Sequence, residues 1–178
     1  MWTIPNQITL FRIILIPVFI IAFYLPVSWN HLGAFVIFWV AAISDALDGY
    51  LARKLNQSSA FGAFIDPVAD KLMVVCALCM LIQDYNVWYI TVSAAVMISR
   101  EIFISALREF MSSRDSRDVI AVSNMGKWKT AAQMLGIMGL IWQPNSTDVI
   151  LNFLYFPHEI INFLSYFFYA VATILTVW

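Results

Sequence analysis

Charge is what this chain has least of. Only 12% of its 178 residues are Asp, Glu, Lys or Arg, while 62% are hydrophobic, and a mean hydropathy of +0.80 takes it out of the soluble globular class. Ten basic residues against eleven acidic ones leave no basic excess, so nucleic-acid binding is not expected. Cysteine and histidine are scarcer still. Cys76 and Cys79 form a C-x-x-C inside an apolar run, with no second pair, and His31 and His158 fall in expected outer loops. The pair therefore reads as two small hydrophobes rather than a redox or zinc motif. Linkers, repeats and low-complexity tracts are also missing, and the chain reads as a single domain over residues 1–178.

Lys and Arg are absent from three stretches, near residues 28–33, 83–88 and 143–158. All ten fall elsewhere, at Arg12, Arg53, Lys54, Lys71, Arg100, Arg108, Arg114, Arg117, Lys127 and Lys129. By the positive-inside rule the three basic-free stretches face outward and the basic side faces the cytoplasm. Trp29, Trp88, Tyr89 and Trp142 sit near expected span ends and read as an interfacial belt.

The apolar runs predict an all-α polytopic protein, a bundle of six transmembrane helices with both termini inside. Helices are expected over 1–27, 33–55, 61–82, 87–110 and 127–142, with one more crossing between 148 and 178 and a short interfacial segment at 149–156. The first run has no small-residue cleavage pattern and is read as a retained helix. Pro17 is expected to kink it, and Thr3, Pro5 and Asn6 to supply its cap and first turn. Pro67 is expected to perturb the start of the third helix, and Pro157 to lie in the outer loop or at the start of the last helix.

Against this background stand four carboxylates, Asp45, Asp48, Asp66 and Asp70. Acids at membrane depth require cations or water. On a helix, Asp45, Asp48, Gly49, Ala52 and Arg53 share one stripe, and Gly62, Asp66 and Asp70 recur every fourth position on the next. A polar break at Asn56–Ser59 joins them, so the two faces are expected to meet and offer hard oxygen ligands to Mg²⁺ or Mn²⁺, facing the cytoplasm. For any single acid the alternative is a solvated helix end or a structural ion pair. Lys71 either pairs with an acid or snorkels to the interface. Arg100 and Glu101 lie deep, as an internal ion pair with a further residue or as substrate contacts.

The eight residues Asp45, Asp48, Gly49, Ala52, Arg53, Gly62, Asp66 and Asp70 reproduce D-x2-D-G-x2-A-R-x8-G-x3-D-x3-D without departure, and in this the chain resembles the CDP-alcohol phosphotransferase family. The resemblance implies displacement of CMP from CDP-diacylglycerol by an alcohol, with Mg²⁺ or Mn²⁺, two ions, as cofactor. It implies Asp45, Asp48, Asp66 and Asp70 as metal ligands and Asp70 also as general base. Gly49, Ala52 and Gly62 would admit the cytidine and diphosphate, with Asp48 and Arg53 also on the CDP-diacylglycerol side. Asn6 and Thr9, otherwise capping residues or neighbours' contacts, resemble the family's Asn-x-x-Thr beside the nucleotide.

The segments NQITLFRIILIPVF, FGAFIDPVADK, SREIFISALREF and GKWKTAAQM resemble bacterial family members whose acceptor is sn-glycerol 3-phosphate, over most of residues 1–142. That implies phosphatidylglycerol phosphate as product, the bacterial inner membrane as location and a homodimer as assembly. The acceptor phosphate needs cations apart from the metals. Arg108, Lys127 and Lys129 are the first candidates and Arg114 and Arg117 the second, with topology and binding of anionic lipid as their other role. The competing readings are an inositol phosphate or serine acceptor, a prenyltransferase releasing pyrophosphate, and a magnesium transporter. A transporter has no need of the Gly and Ala spacing or of Arg53.

Overall fold

The computed structural model describes residues 4–55, 60–112, 124–142 and 158–177, all of them α-helix apart from the turns at 25–29 and 86–87. The helices among the described residues are α1 (Ile4–Tyr24), α2 (Asn30–Leu55), α3 (Ala60–Tyr85), α4 (Trp88–Ser112), α5 (Asn124–Trp142) and α6 (His158–Val177). Each matches an expected helix, with ends displaced by a few residues. The segment 149–156 and Pro157 lie outside the described residues, as do Thr3, Arg114 and Arg117.

Among the described residues, three helical segments are long and apolar enough to cross a bilayer: Gln7–Tyr24, Trp88–Met111 and Glu159–Val177. In α2 the apolar stretch is shorter, Asn30–Asp45, because the acidic motif begins there. Many large apolar side chains point outward, among them Ile14 and Ile21 on α1, Ile102 and Phe103 on α4, and Phe163 and Ile174 on α6. In water such a surface would aggregate, whereas in lipid it is the solvated face. The chain is a helical membrane protein.

Neither Pro17 nor Pro67 ends its helix. Pro5 lies in the first turn of α1, where its missing N–H has no helical partner to lose, and Pro17 and Pro67 stand inside the continuous helices α1 and α3. Pro67 therefore removes one hydrogen bond from α3 without marking its start, which lies earlier, at Ala60. Asn86 stops α3 by taking the left-handed conformation (φ 47°), with its N–H on the Ile82 carbonyl at 3.1 Å. This is the αL cap that Asn tolerates better than most side chains.

The chain forms two compact units, residues 1–80 and 81–178. In the first, α1 packs along α2. Phe19 and Phe38 meet with ring centroids 6.0 Å apart, and Ala22, Ala34 and Ala41 are buried around them. The hairpin between these helices is held by the Asn30 side-chain amide donating to the Phe23 carbonyl at 3.1 Å and by the edge contact of His31 with the Phe23 ring.

In the second unit, α6 packs along α5 and also touches α4. Gly136 and Gly139 on α5 permit this: a Cβ on Gly136 would lie 2.6 Å from the backbone nitrogen of Tyr169, and one on Gly139 would collide with the Ser165 hydroxyl. Small residues at a membrane helix interface allow the backbones to approach and gain dispersion contact that lipid would otherwise supply. Two tyrosines then cross-link the helices, Tyr169 donating to the Ile90 carbonyl at 3.3 Å and Tyr85 to the Leu140 carbonyl at 3.0 Å. Tyr169 is buried, so its hydroxyl needs such a partner, whereas the Tyr85 bond is partly exposed.

Candidate active site

The acidic motif is carried on unbroken helix on both sides of the polar break, since α2 runs through Leu55 and α3 begins at Ala60. The register that the spacing argument requires is therefore present. Asp45 and Asp48 stand three residues apart on α2, and Asp66 and Asp70 four apart on α3. Asp45 has its side chain 46% exposed, and Asp70 is partly buried. The side chains of Asn6, Asp48, Gly49, Ala52, Arg53, Gly62, Asp66, Arg108 and Lys127 lie outside the described residues, although their backbones are helical. Among the described residues no three of His, Cys, Asp and Glu gather into a metal-binding group.

Opposite Asp45 stands a residue whose part the sequence did not reveal. Arg12, on α1, is only 1% exposed, and its Nη1 lies 2.8 Å from Asp45 Oδ1. A guanidinium is rarely hidden in this way, and it stays charged at any accessible pH, so it requires an anion beside it. The chain itself thus supplies part of the neutralisation that an acid at this depth requires. A signal was available: Arg12 is the one charged residue in the first apolar run.

Thr9 lies one turn before Arg12 on the same face of α1 and is equally buried. As the sixth residue of the helix it is too far inside to cap it. The capping role is corrected for Thr9, and the inward-facing role stands. Asn6 continues the same stripe by spacing, in the first turn of α1.

In the second unit, Lys129 on α5 donates to Glu101 Oε2 on α4 at 3.0 Å. Lys129 is 7% exposed, and the Glu101 side chain is about one-third exposed. The deep pair expected at Arg100 and Glu101 is therefore Glu101 with Lys129. Arg100 and Lys71 are partly exposed and make no ion pair with a described residue. Trp128, between the two candidate lysines, is 73% exposed, and Trp29, Trp88 and Tyr89 are exposed at helix starts. Cys76 and Cys79 are free thiols.

Comparison with known proteins extends these observations. The family model described as CDP-alcohol phosphatidyltransferase matches residues 2–178. A protein of Shigella flexneri serotype 5b (strain 8401) is 46% identical over 177 residues, covering 99% of this chain and 90% of the relative. One from Escherichia coli (strain K12) is 53% identical over 144 residues, covering 81% of this chain and 79% of the relative. Both carry the name CDP-diacylglycerol--glycerol-3-phosphate 3-phosphatidyltransferase. The similarity therefore continues past residue 142, beyond the motif segments that carry the resemblance.

Proposed function

The chain belongs to the CDP-alcohol phosphatidyltransferase family, and from that premise we propose that it transfers the phosphatidyl group of CDP-diacylglycerol to sn-glycerol 3-phosphate, giving phosphatidylglycerol phosphate and CMP. The observation that carries the acceptor is the 46–53% identity to proteins named for this reaction, across nearly the whole chain in one case. The eight-residue motif on α2 and α3 carries the reaction type. The match over residues 2–178 supports reading the chain as one catalytic domain.

The donor set suits a hard divalent cation: every candidate is a carboxylate, and Asp45 keeps a half-exposed side chain even while paired. Asp45, Asp48, Asp66 and Asp70 would hold Mg²⁺ or Mn²⁺, two ions in our reading, and the bound cation supplies charge stabilisation at the diphosphate. Gly49, Ala52 and Gly62 leave room for the cytidine and diphosphate, with Asn6, Thr9 and Arg53 beside them. Asp70 accepts the proton of the glycerol 3-phosphate hydroxyl as its oxygen bonds to the phosphatidyl phosphorus. The diphosphate P–O bond breaks, and CMP leaves with the electron pair. Arg108, Lys127 and Lys129 bind the acceptor's phosphate, with Arg114 and Arg117 on the adjoining segment.

The six helices are read as six crossings of a bacterial inner membrane, with the acidic motif on the cytoplasmic side, where it meets the soluble acceptor, sn-glycerol 3-phosphate. The charge bias supports this orientation. A homodimer is the assembly that the family resemblance favours.

The test is CMP release from CDP-diacylglycerol by the purified protein, with Mg²⁺ or Mn²⁺ and a panel of acceptors. Turnover is expected with glycerol 3-phosphate and far less with serine or inositol phosphate. Equal or faster release with serine would overturn the acceptor assignment.

A further inference from the structure

Arg12 is among the most completely buried large side chains of the protein, and its described ion-pair partner is the first acid of the motif. An arginine kept only for topology would snorkel to the interface and face water or lipid phosphate. This one instead turns inward from α1, beside buried Thr9, and its Nη1 lies 2.8 Å from Asp45 Oδ1 on α2, an ion pair by distance in which Nη1 makes no aligned hydrogen bond. We infer that Arg12 is a positioning residue for the metal site: it fixes the Asp45 carboxylate in the orientation from which it ligates. The inference rests on the reading of Asp45 as a metal ligand.

Three physical points support it. A carboxylate on a helix swings about two torsions, and a ligand that must first be ordered binds more weakly than one already held. The guanidinium 2.8 Å from Asp45 Oδ1 attracts the carboxylate as a charge, and its fork offers further N–H donors to neighbouring oxygens. Arg12 also offsets one of four negative charges, which reduces their mutual repulsion before a cation arrives. The Asp45 side chain remains 46% exposed, so the pairing does not seal it from a ligand. Partners that orient ligating carboxylates typically matter about 10–100-fold in metal affinity.

The experiment is a Mn²⁺ titration of the purified full-length protein in lipid nanodiscs, with free Mn²⁺ read by electron paramagnetic resonance and without substrate. Arg12→Gln should weaken Mn²⁺ binding about 10–100-fold relative to the unsubstituted protein. Arg12→Lys keeps the buried charge but not the planar fork, and should fall between the two. If Arg12→Gln does not fold, the lysine variant decides: weaker binding supports positioning, and affinity equal to the unsubstituted protein overturns it. Unchanged or tighter Mn²⁺ binding in Arg12→Gln, with only a lower melting temperature, would assign the arginine to packing. Absence of Mn²⁺ binding by the unsubstituted protein would instead remove the metal-ligand reading on which the inference stands.

Discussion

Asp70 stands one turn after Asp66 on α3, close enough in register for both to face one cation, and it alone is assigned a proton-transfer role as well. A positioned carboxylate base typically contributes about 10²–10⁴-fold. Asp70→Asn is therefore expected to lower the CMP release rate by at least about 10²-fold while CDP-diacylglycerol still binds, measurable by steady-state turnover and by binding of labelled donor. Loss of donor and metal binding together would make Asp70 a ligand first and leave no case for a base. Lys129 poses a different question because Glu101 already holds it. Lys127→Ala should raise the KM for glycerol 3-phosphate about 10–100-fold, as expected for a lost charge-assisted contact of about 1.5–3 kcal/mol, with donor KM unchanged. Lys129→Ala should do the same and also lower thermal stability, since it strips a partner from Glu101. A stability loss without a change in acceptor KM would restrict Lys129 to joining α4 and α5.

Helix contacts within each unit depend on what glycine and alanine leave unfilled. On α5, Gly136 faces the backbone of α6 at Tyr169, which cannot yield as a flexible side chain can. Gly136→Ala gains up to about 1 kcal/mol of helix propensity, but overpacking against main chain costs about 1–3 kcal/mol, so a lower melting temperature is expected by circular dichroism in detergent. Gly33→Ala is the matched control. Its Cβ would meet only the ring of exposed Trp29 at 3.3 Å, and its effect should be smaller. The helices themselves were legible from the length and composition of the apolar runs. The α5 glycines were not, because a G-x-x-G in an apolar stretch is compatible with any neighbour until α6 is seen against it.

At the scale of the whole molecule, the distribution of ten cations predicts which side of the membrane each loop occupies. In a background lacking Cys76 and Cys79, a cysteine placed between residues 113 and 123 should react with an impermeant maleimide only from the cytoplasmic face. One near residue 145 should react only from outside. The reverse pattern would place the acidic motif away from the cytosolic acceptor, and the six-crossing topology would then be wrong. Among the described residues, three helices satisfy the length and apolarity of a span outright. In α2 the apolar stretch is cut short at Asp45, where the acidic motif begins.

Several features depended on local order alone: six helices, their hydrophobic surface, and the stripe on which Asp45 and Asp48, or Asp66 and Asp70, must lie. Each follows from hydropathy, the 3.6-residue period and the fixed spacing of a motif, all of which are properties of a few consecutive turns. Pairings between helices are a different matter. That Arg12 neutralises Asp45 across 33 residues, that Lys129 answers Glu101 across 28, and that Tyr169 reaches the Ile90 carbonyl all required the packed structure. The reason is that burial decides which of several cations an acid will meet. In lipid an unpaired charge is too costly to leave to chance, but the sequence lists every candidate partner without saying which one the fold brings within 3 Å.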